Sequence, residues 1–222
     1  MSEYTVKVLE TNYVTHDVKR FVVERPAGYT FIPGQATDVS INVPEWKDEL
    51  RPFTFTGLND SPNLEFMIKT YRDHKGVTNL LGQVEKGETL ILHDVFGAIQ
   101  YKGKGVFIAG GAGITPFIAI FRDLHRKNEL RGNRLFFSNK TLSDVILEEE
   151  LTKMLKTDFV KIFTRENRVG LMTGRIDKNF LQEHITDTQQ QFYVCGPDQF
   201  VKDITGLLIH IGASPQAVVF EE

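Results

Sequence analysis

The sequence predicts two domains, an N-terminal antiparallel β-barrel and a C-terminal α/β domain built on a doubly wound parallel sheet. Three observations predict it. The first hundred residues are short alternating or β-branched runs broken by Gly and Pro turns. Later segments alternate strand-like runs with runs of helical period. The change falls at YKGKGVFIAGG, residues 101–111, as a shift of pattern without a linker. The boundaries are therefore 1–101 and 102–222, and 222 residues suit two domains of ordinary size, each with its own core.

In chain order, YTVKVLETNYV and VKRFVVERP read as strands, and Pro33-Gly34 turns the chain into the strand QATDVSINV. RPFTFTGL and LEFMIKTYR follow on either side of the turn-rich NDSPN. GVTNLLGQV is the one helix expected in this half, with Thr78 as its cap, and Gly87 opens the turn into ETLILHDVFG. Many short strands with Gly/Pro turns mean a small closed barrel. GVFIAGG then reads as a buried parallel-type strand, and Ile114, Phe117, Ile118, Phe121 and Leu124 recur at helical spacing. NRLFFSNK is a strand, SDVILEEELTKML a helix capped by Ser143, FVKIFTRE a strand and RIDKNFLQEHI a helix. QFYVCGP, DQFVKDITGLLIHIG and AVVFEE complete the alternation as strand, helix and strand.

Composition narrows the function. The chain is 41% hydrophobic and 25% charged, as globular proteins are, and its net charge of −3 does not suit a polyanion such as nucleic acid. One cysteine, Cys195, excludes an internal disulfide and a cysteine-ligated cluster held by this chain alone. Six scattered histidines show no metal-site spacing, so no metal is expected. The start, MSEYTVKVLE, has no leader character, and no apolar run reaches membrane-spanning length, which leads us to expect a cytoplasmic protein with no membrane partner.

Four stretches carry chemistry. In IAGGAGITPF (108–117) a strand ends at Gly110-Gly111 and a helix begins near Thr115-Pro116, the order a pyrophosphate site requires. The spacing is GxGxxP over Gly111, Gly113 and Pro116, with Ala112 inside the turn, rather than the usual GxGxxG; the plain alternative is a turn that only joins strand to helix. In FYVCGPDQF a strand ends at Cys195 with Gly196-Pro197 as the turn, on the same edge of the sheet; a small buried hydrophobe is the ordinary fate of such a cysteine. In RPFT, Arg51 heads an apolar strand as an anion ligand would, or else pairs on the surface with Asp48 or Glu49. Gly76-Val77-Thr78 opens a helix in the barrel half, where it is either a second anion cradle or a capped surface helix. Two cradles, one per domain, suggest two nucleotides meeting across an interface.

The ordered set R-P-F-T (51–54), I-K-T-Y (68–71), G-V-T (76–78), G-G-A-G-I-T-P-F (110–117), T-R-E (164–166), T-G-R-I (173–176) and Y-V-C-G-P (193–197) resembles the ferredoxin–NADP reductase superfamily. It looks most like the short bacterial flavodoxin/ferredoxin reductases, and the resemblance covers essentially the whole chain. It implies a flavin-binding barrel and an NAD(P)-binding α/β domain. Arg51, followed by Pro52, would hold the flavin pyrophosphate, Phe53 would stack on the isoalloxazine where the family often has Tyr, and Thr54 would reach flavin N5. The backbone of Ile68, Lys69 and Thr70 would run along the ribityl and phosphates, and Gly76, Val77 and Thr78 would donate to the pyrophosphate. Thr115 would line the nicotinamide side, Cys195 would lie near the reacting carbons, and Glu221 and Phe220 would stand near the flavin at the chain end.

The same resemblance places arginines at the adenosine 2′-phosphate. Arg165 and Arg175 match such positions, and Asn139 stands where a third basic residue would, between Ser138 and Lys140. The Lys and Tyr that NADP-specific plant-type members carry are replaced here by Leu171-Met172-Thr173, so NADPH is preferred with NADH as rival. Arg165 has a plainer alternative too, an ion pair with Glu166 or Asp177. The implied activity is an enzyme that passes hydride from NAD(P)H to FAD (the family's usual choice over FMN), then single electrons to a separate flavodoxin, ferredoxin or oxygenase component. Thr54, Cys195 and Glu221 are its candidate catalytic residues, and a monomer is expected. A reductase of free flavin, or a non-catalytic flavin-binding subunit of a larger complex, are the alternatives.

Overall fold

The computed structural model describes residues 2–71, 75–97 and 99–220, and its contacts divide the chain into two units. The first runs to Gly97 and also takes in Thr115–Asp123; the second holds the remainder, up to Ile114 and again from Leu124.

The first unit is a six-stranded antiparallel sheet in the order β4-β3-β6-β1-β2-β5. Its strands are β1 (Tyr4–Tyr13), β2 (Val18–Glu24), β3 (Ala36–Ile41), β4 (Arg51–Thr54), β5 (Asn63–Lys69) and β6 (Thr89–Phe96). A bridge between Phe55 and Phe66, backed by Thr56 N–H on the Glu65 carbonyl at 2.9 Å, joins the two outer strands and closes the barrel. Closure removes the free edges that such a sheet would otherwise present. Alternation sends Phe21, Val23, Leu64, Phe66, Leu90 and Leu92 into one core, where Phe31 stacks on Phe55 at 4.2 Å.

A short helix, α1 (Val77–Leu81), follows β5. Its N-cap is Gly76 with extended backbone and no side-chain cap, so Thr78 lies inside the first turn and is not the cap the sequence predicts. The far end of α1 is held by Lys19, buried in the barrel, whose ammonium reaches the carbonyls of Gly82 at 3.1 Å and Val84 at 2.7 Å. A cation on the last carbonyls of a helix opposes the negative end of its dipole. The end of β5 is fixed as firmly: Thr70 donates its N–H to the Asp17 carbonyl at 2.7 Å, and Lys69 pairs with the Asp17 carboxylate at 2.8 Å.

The second unit is a six-stranded parallel sheet in the order β10-β9-β8-β7-β11-β12. The strands are β7 (Gly105–Gly110), β8 (Arg134–Asn139), β9 (Phe159–Phe163), β10 (Met172–Thr173), β11 (Gln191–Cys195) and β12 (Val218–Phe220). Helices α3 (Glu148–Leu155), α4 (Lys178–His184) and α5 (Asp198–His210) stand among them in chain order, and α2 (Thr115–Arg126), most of which clusters with the first unit, follows β7 in the chain. Val106, Ile108, Phe136, Ile162, Val194 and Leu208 share one core. At the start of β7, Tyr193 stacks on Phe107 at 4.2 Å and its hydroxyl oxygen accepts from the amides of Lys102 and Gly103.

Three expectations change. The helix over 143–155 is broken: Thr141 and Asp144 form a capping box around a 3₁₀ turn at Leu142–Asp144, so Ser143 lies within that turn and is not its cap. Val145 and Ile146 are then buried, and Leu147, in left-handed backbone at φ 53°, leads into α3. Two β-branched residues favour extended backbone, and their burial outweighs helix continuity. The helix expected at RIDKNFLQEHI starts only at Lys178, because Asp177 caps it by accepting from Phe180 N–H at 2.8 Å. Met172-Thr173, unassigned by pattern, pairs with Ile162-Phe163 as a two-residue outer strand.

No helix among the described residues is long and apolar enough to cross a membrane.

Candidate functional site

In the second unit β7 is central, and the chain builds outward from it to β8 on one side and to β11 on the other. That reversal between β7 and β11 opens a crevice at the carboxyl ends of the strands. The residues ending the two strands are Gly110–Ile114 and Cys195–Pro197. Gly111 has φ 54°, a left-handed value that side-chain-bearing residues rarely adopt, and a Cβ added to it would meet nothing within 4 Å. Its backbone thus faces open space at the start of a 3₁₀ turn, Gly111–Ile114, which runs directly into α2. Ala112 lies within this turn, half-buried, and Thr115-Pro116 begin the helix. Gly113 serves close approach: a Cβ there would lie 2.3 Å from the Cys195 carbonyl oxygen. Phe200 covers the glycines, since Cβ atoms on Gly110 and Gly196 would stand 3.1 and 2.7 Å from its ring. Cys195 itself is buried and in no disulfide. Pro197 stands exposed as the N-cap of α5.

Beside the crevice lies a cavity of about 380 Å³ at the carboxyl ends of β8, β9 and β10. Ser138 and Lys140 come from the end of β8, Thr164 and Arg165 from the end of β9, and Arg175 from the end of β10. The opposite wall is α5, through Gln199, Phe200 and Asp203. Two backbone bonds, Thr164 N–H to Asn139 O and Arg165 N–H to Lys140 O, both 2.9 Å, lash the two loops side by side and bring Lys140 next to Arg165. Among the described residues, the guanidinium groups of Arg165 and Arg175 and the ammonium of Lys140 have no hydrogen-bond or ion-pair partner. The carboxylates expected to neutralise Arg165 are engaged elsewhere: Glu166 accepts from Leu142 N–H at 2.6 Å and Asp177 caps α4. Three cations around one cavity can hold an anion by charge.

In the first unit, Arg51 is half-exposed and donates to the Leu50 carbonyl at 2.6 Å and more weakly to Glu49 at 3.4 Å. Pro52 is exposed, Phe53 packs partly buried against the barrel core, and Thr54 is half-buried. Ile68 is fully buried, Thr70 nearly so, and Lys69 is held by Asp17, whose carboxyl is pushed up by burial but drawn lower still by Lys69. Gly76 is half-buried, Val77 is buried and Thr78 half-buried, with open space where a Gly76 side chain would stand.

The residues expected at a nucleotide are thus partly brought together. Ser138, Arg165 and Arg175 share the cavity. Asn139 does not line it: it is 4% exposed, and neither atom of its side-chain amide has a hydrogen-bond partner. Alternation along β8 sends it away from the Ser138 face. Phe220 is half-buried on β12, and Glu221 lies outside the described residues. Pattern reasoning missed Thr164, Gln199, Phe200 and Asp203. Their signal was present, because Gln199 and Asp203 are four apart on a helix that starts right after the glycine turn.

Residues 107–206 match the family model described as an oxidoreductase NAD-binding domain. The chain is 27% identical to NADH-cytochrome b5 reductase 2 of Candida glabrata over 220 residues, covering 90% of this chain and 72% of that protein. It is 24% identical to the ferredoxin–NAD(P)+ reductase component of the naphthalene 1,2-dioxygenase system of Pseudomonas putida, over 92% of this chain but only 64% of that one. Among solved structures, a ferredoxin NADP+ reductase of Neisseria gonorrhoeae with bound FAD and NADP superposes with a TM-score of 0.87, at 19% identity, over all of this chain and 98% of that one. The flavohem-like FAD/NAD-binding domain of nitric oxide dioxygenase from Vibrio cholerae gives 0.86 at 20% identity, over 98% of this chain and 97% of that one. A barrel followed by a parallel NAD-binding sheet is the fold of the ferredoxin–NADP reductase-like flavoprotein reductases, and the resemblance drawn from the motifs holds at that level.

Proposed function

We propose that this chain, with the fold of the ferredoxin–NADP reductase-like flavoprotein reductases and an oxidoreductase NAD-binding domain in its second half, oxidises NAD(P)H through FAD and delivers electrons to a separate protein. The observation that carries it is the cationic cavity beside the glycine crevice, where Lys140, Arg165 and Arg175 await an anion. A dinucleotide laid along the carboxyl edge would set its pyrophosphate on the Gly111–Ile114 turn and its adenosine end in that cavity. Three cations suit the doubly charged 2′-phosphate, which supports NADPH over NADH.

The first unit fits a flavin by its own features. Phe53 is braced from behind by the core, Arg51 is exposed with one bond to the Leu50 carbonyl and a longer contact to Glu49, and Gly76 leaves open space before α1. Arg51 would hold the pyrophosphate with its planar fork, Phe53 would wall one ring face, and Thr54 would offer its hydroxyl near N5. Lys19 and Asp17 would keep α1 and the end of β5 in register for those contacts. The flavin, when bound, supplies the exchange of one hydride for two single electrons. The relatives' printed names, among them a ferredoxin–NAD(P)+ reductase component of a dioxygenase system, support a ferredoxin or an oxygenase component as the acceptor. The exposure of Arg51 and its pairing with Glu49 favour a second reading, in which flavin is weakly held and leaves after reduction.

Anaerobic mixing of the purified protein with NADPH and with NADH, followed by visible absorbance, tests this. A yellow preparation bleached faster by NADPH is expected. A colourless preparation that reduces added flavin moves the function to the second reading. A yellow preparation indifferent to both nucleotides overturns reductase activity.

A further inference from the structure

The cavity holds one residue that works against its own charge. Asp203 lines it together with Lys140, Arg165 and Arg175, yet forms no ion pair with any of them among the described residues. Its Oδ1 accepts instead from the neutral Gln199 Nε2 at 2.6 Å. The two residues are one helical turn apart on α5, with buried Ile204 next to Asp203 anchoring that face to the core. An aspartate placed only to balance the three cations would sit in contact with them. This one is oriented by a side-chain amide and keeps acceptor capacity for a hydroxyl.

We propose that Asp203 is a specificity-determining residue that sets the balance between the two pyridine nucleotides. Its carboxylate accepts from an adenosine ribose hydroxyl and resists a 2′-phosphate, while the three cations attract that phosphate. Gln199 is the positioning residue, holding the carboxylate toward the cavity. The cavity therefore admits both nucleotides with a moderated preference for the phosphorylated one. An exposed like-charge contact is screened and worth on the order of one power of ten or less in affinity. The inference rests on the cavity being the adenosine end of the nucleotide site.

Isothermal titration of the whole chain with 5′-AMP and with 2′,5′-ADP, which differ only in the 2′-phosphate, separates the two ideas. In Asp203→Asn, 2′,5′-ADP should bind about fivefold tighter and 5′-AMP about twofold weaker, on the scale of one screened charge contact and one hydrogen bond. Asp203→Glu should restore most of the original ratio. In steady-state assays the change should appear in KM for NADPH with kcat nearly unmoved, since the contact is uniform through the reaction. An unchanged affinity ratio in Asp203→Asn, alongside lost 2′,5′-ADP binding in Arg175→Ala, overturns the role of Asp203 and leaves the adenosine site standing. Unchanged binding of both probes in Asp203→Asn, Arg165→Ala and Arg175→Ala overturns the site itself, and the role of Asp203 with it.

Discussion

Two clusters of cations in this molecule have opposite fates. In the first unit, Arg20 and Arg122 converge on one largely buried carboxylate, Glu65, at 2.7 and 2.6 Å. The same carboxylate accepts from Thr56 Oγ1 at 2.8 Å, and Arg122 also donates to the Thr56 carbonyl at 2.9 Å. Burial pushes the Glu65 carboxyl up, but Arg122 outweighs it and holds the group below the usual carboxylate range. In the second unit, Lys140, Arg165 and Arg175 face a cavity with no such partner among the described residues. The first cluster closes its electrostatics within the fold. The second leaves them open, so its charge is available to a ligand. Composition cannot tell these apart, because the residue types are the same.

The comparison can be broken or sharpened by experiment. The largest effect should come from Glu65→Ala, which strands two arginines in a mostly buried site and should cost about 3 kcal/mol in chemical unfolding; a loss near zero would put Arg20 and Arg122 among the open cations. Next, Arg175→Ala should weaken 2′,5′-ADP binding about tenfold, as expected for one charge-assisted contact to phosphate, measured by titration calorimetry. Acidification comes third. Glu65 has a depressed folded pKa, so its stabilisation is whole above the ordinary carboxylate range and is lost as pH falls through the folded value. Glu65→Gln should flatten that acid limb of the stability profile, and an unchanged limb would place the titration elsewhere. On the alkaline side, burial raises Tyr29 to about 12, so its contribution should fade between the ordinary tyrosine range and that value, as phenolate absorbance would show. The smallest effect is the most diagnostic: Arg175→Ala should change unfolding stability by less than about 0.5 kcal/mol, since an open cation holds nothing together.

Much of the fold was legible because period and punctuation agree. The glycine turn at 110–113 was found by order alone, and each later strand except Met172-Thr173 by its apolar run ahead of a turn. Local rules failed where tertiary contacts decided. Ser143 lost its role as cap to a box formed by Thr141 and Asp144, and burial of Val145-Ile146 broke the helix behind it. Arg165 and Arg175 were found through their resemblance to known positions, whereas Asn139, drawn from the same resemblance, points away because strand parity overrides adjacency in sequence. Asp203 and Gln199 were missed for the opposite reason: they lie far along the chain from the arginines, and only the winding of the sheet brings α5 over the ends of β8 and β9. The Glu65 cluster was invisible to pattern, since it joins residues 20, 56, 65 and 122.

Because Thr115–Asp123 clusters with the first unit, that unit is not a continuous stretch of polypeptide. A gene cut after Gly97 would yield a barrel missing Arg122, with Glu65 left short of its strongest counter-charge and the Thr56 carbonyl of its donor. Anyone grafting this barrel into a chimera, or expressing it in isolation, would need to carry the helix along or replace Glu65 with a neutral side chain.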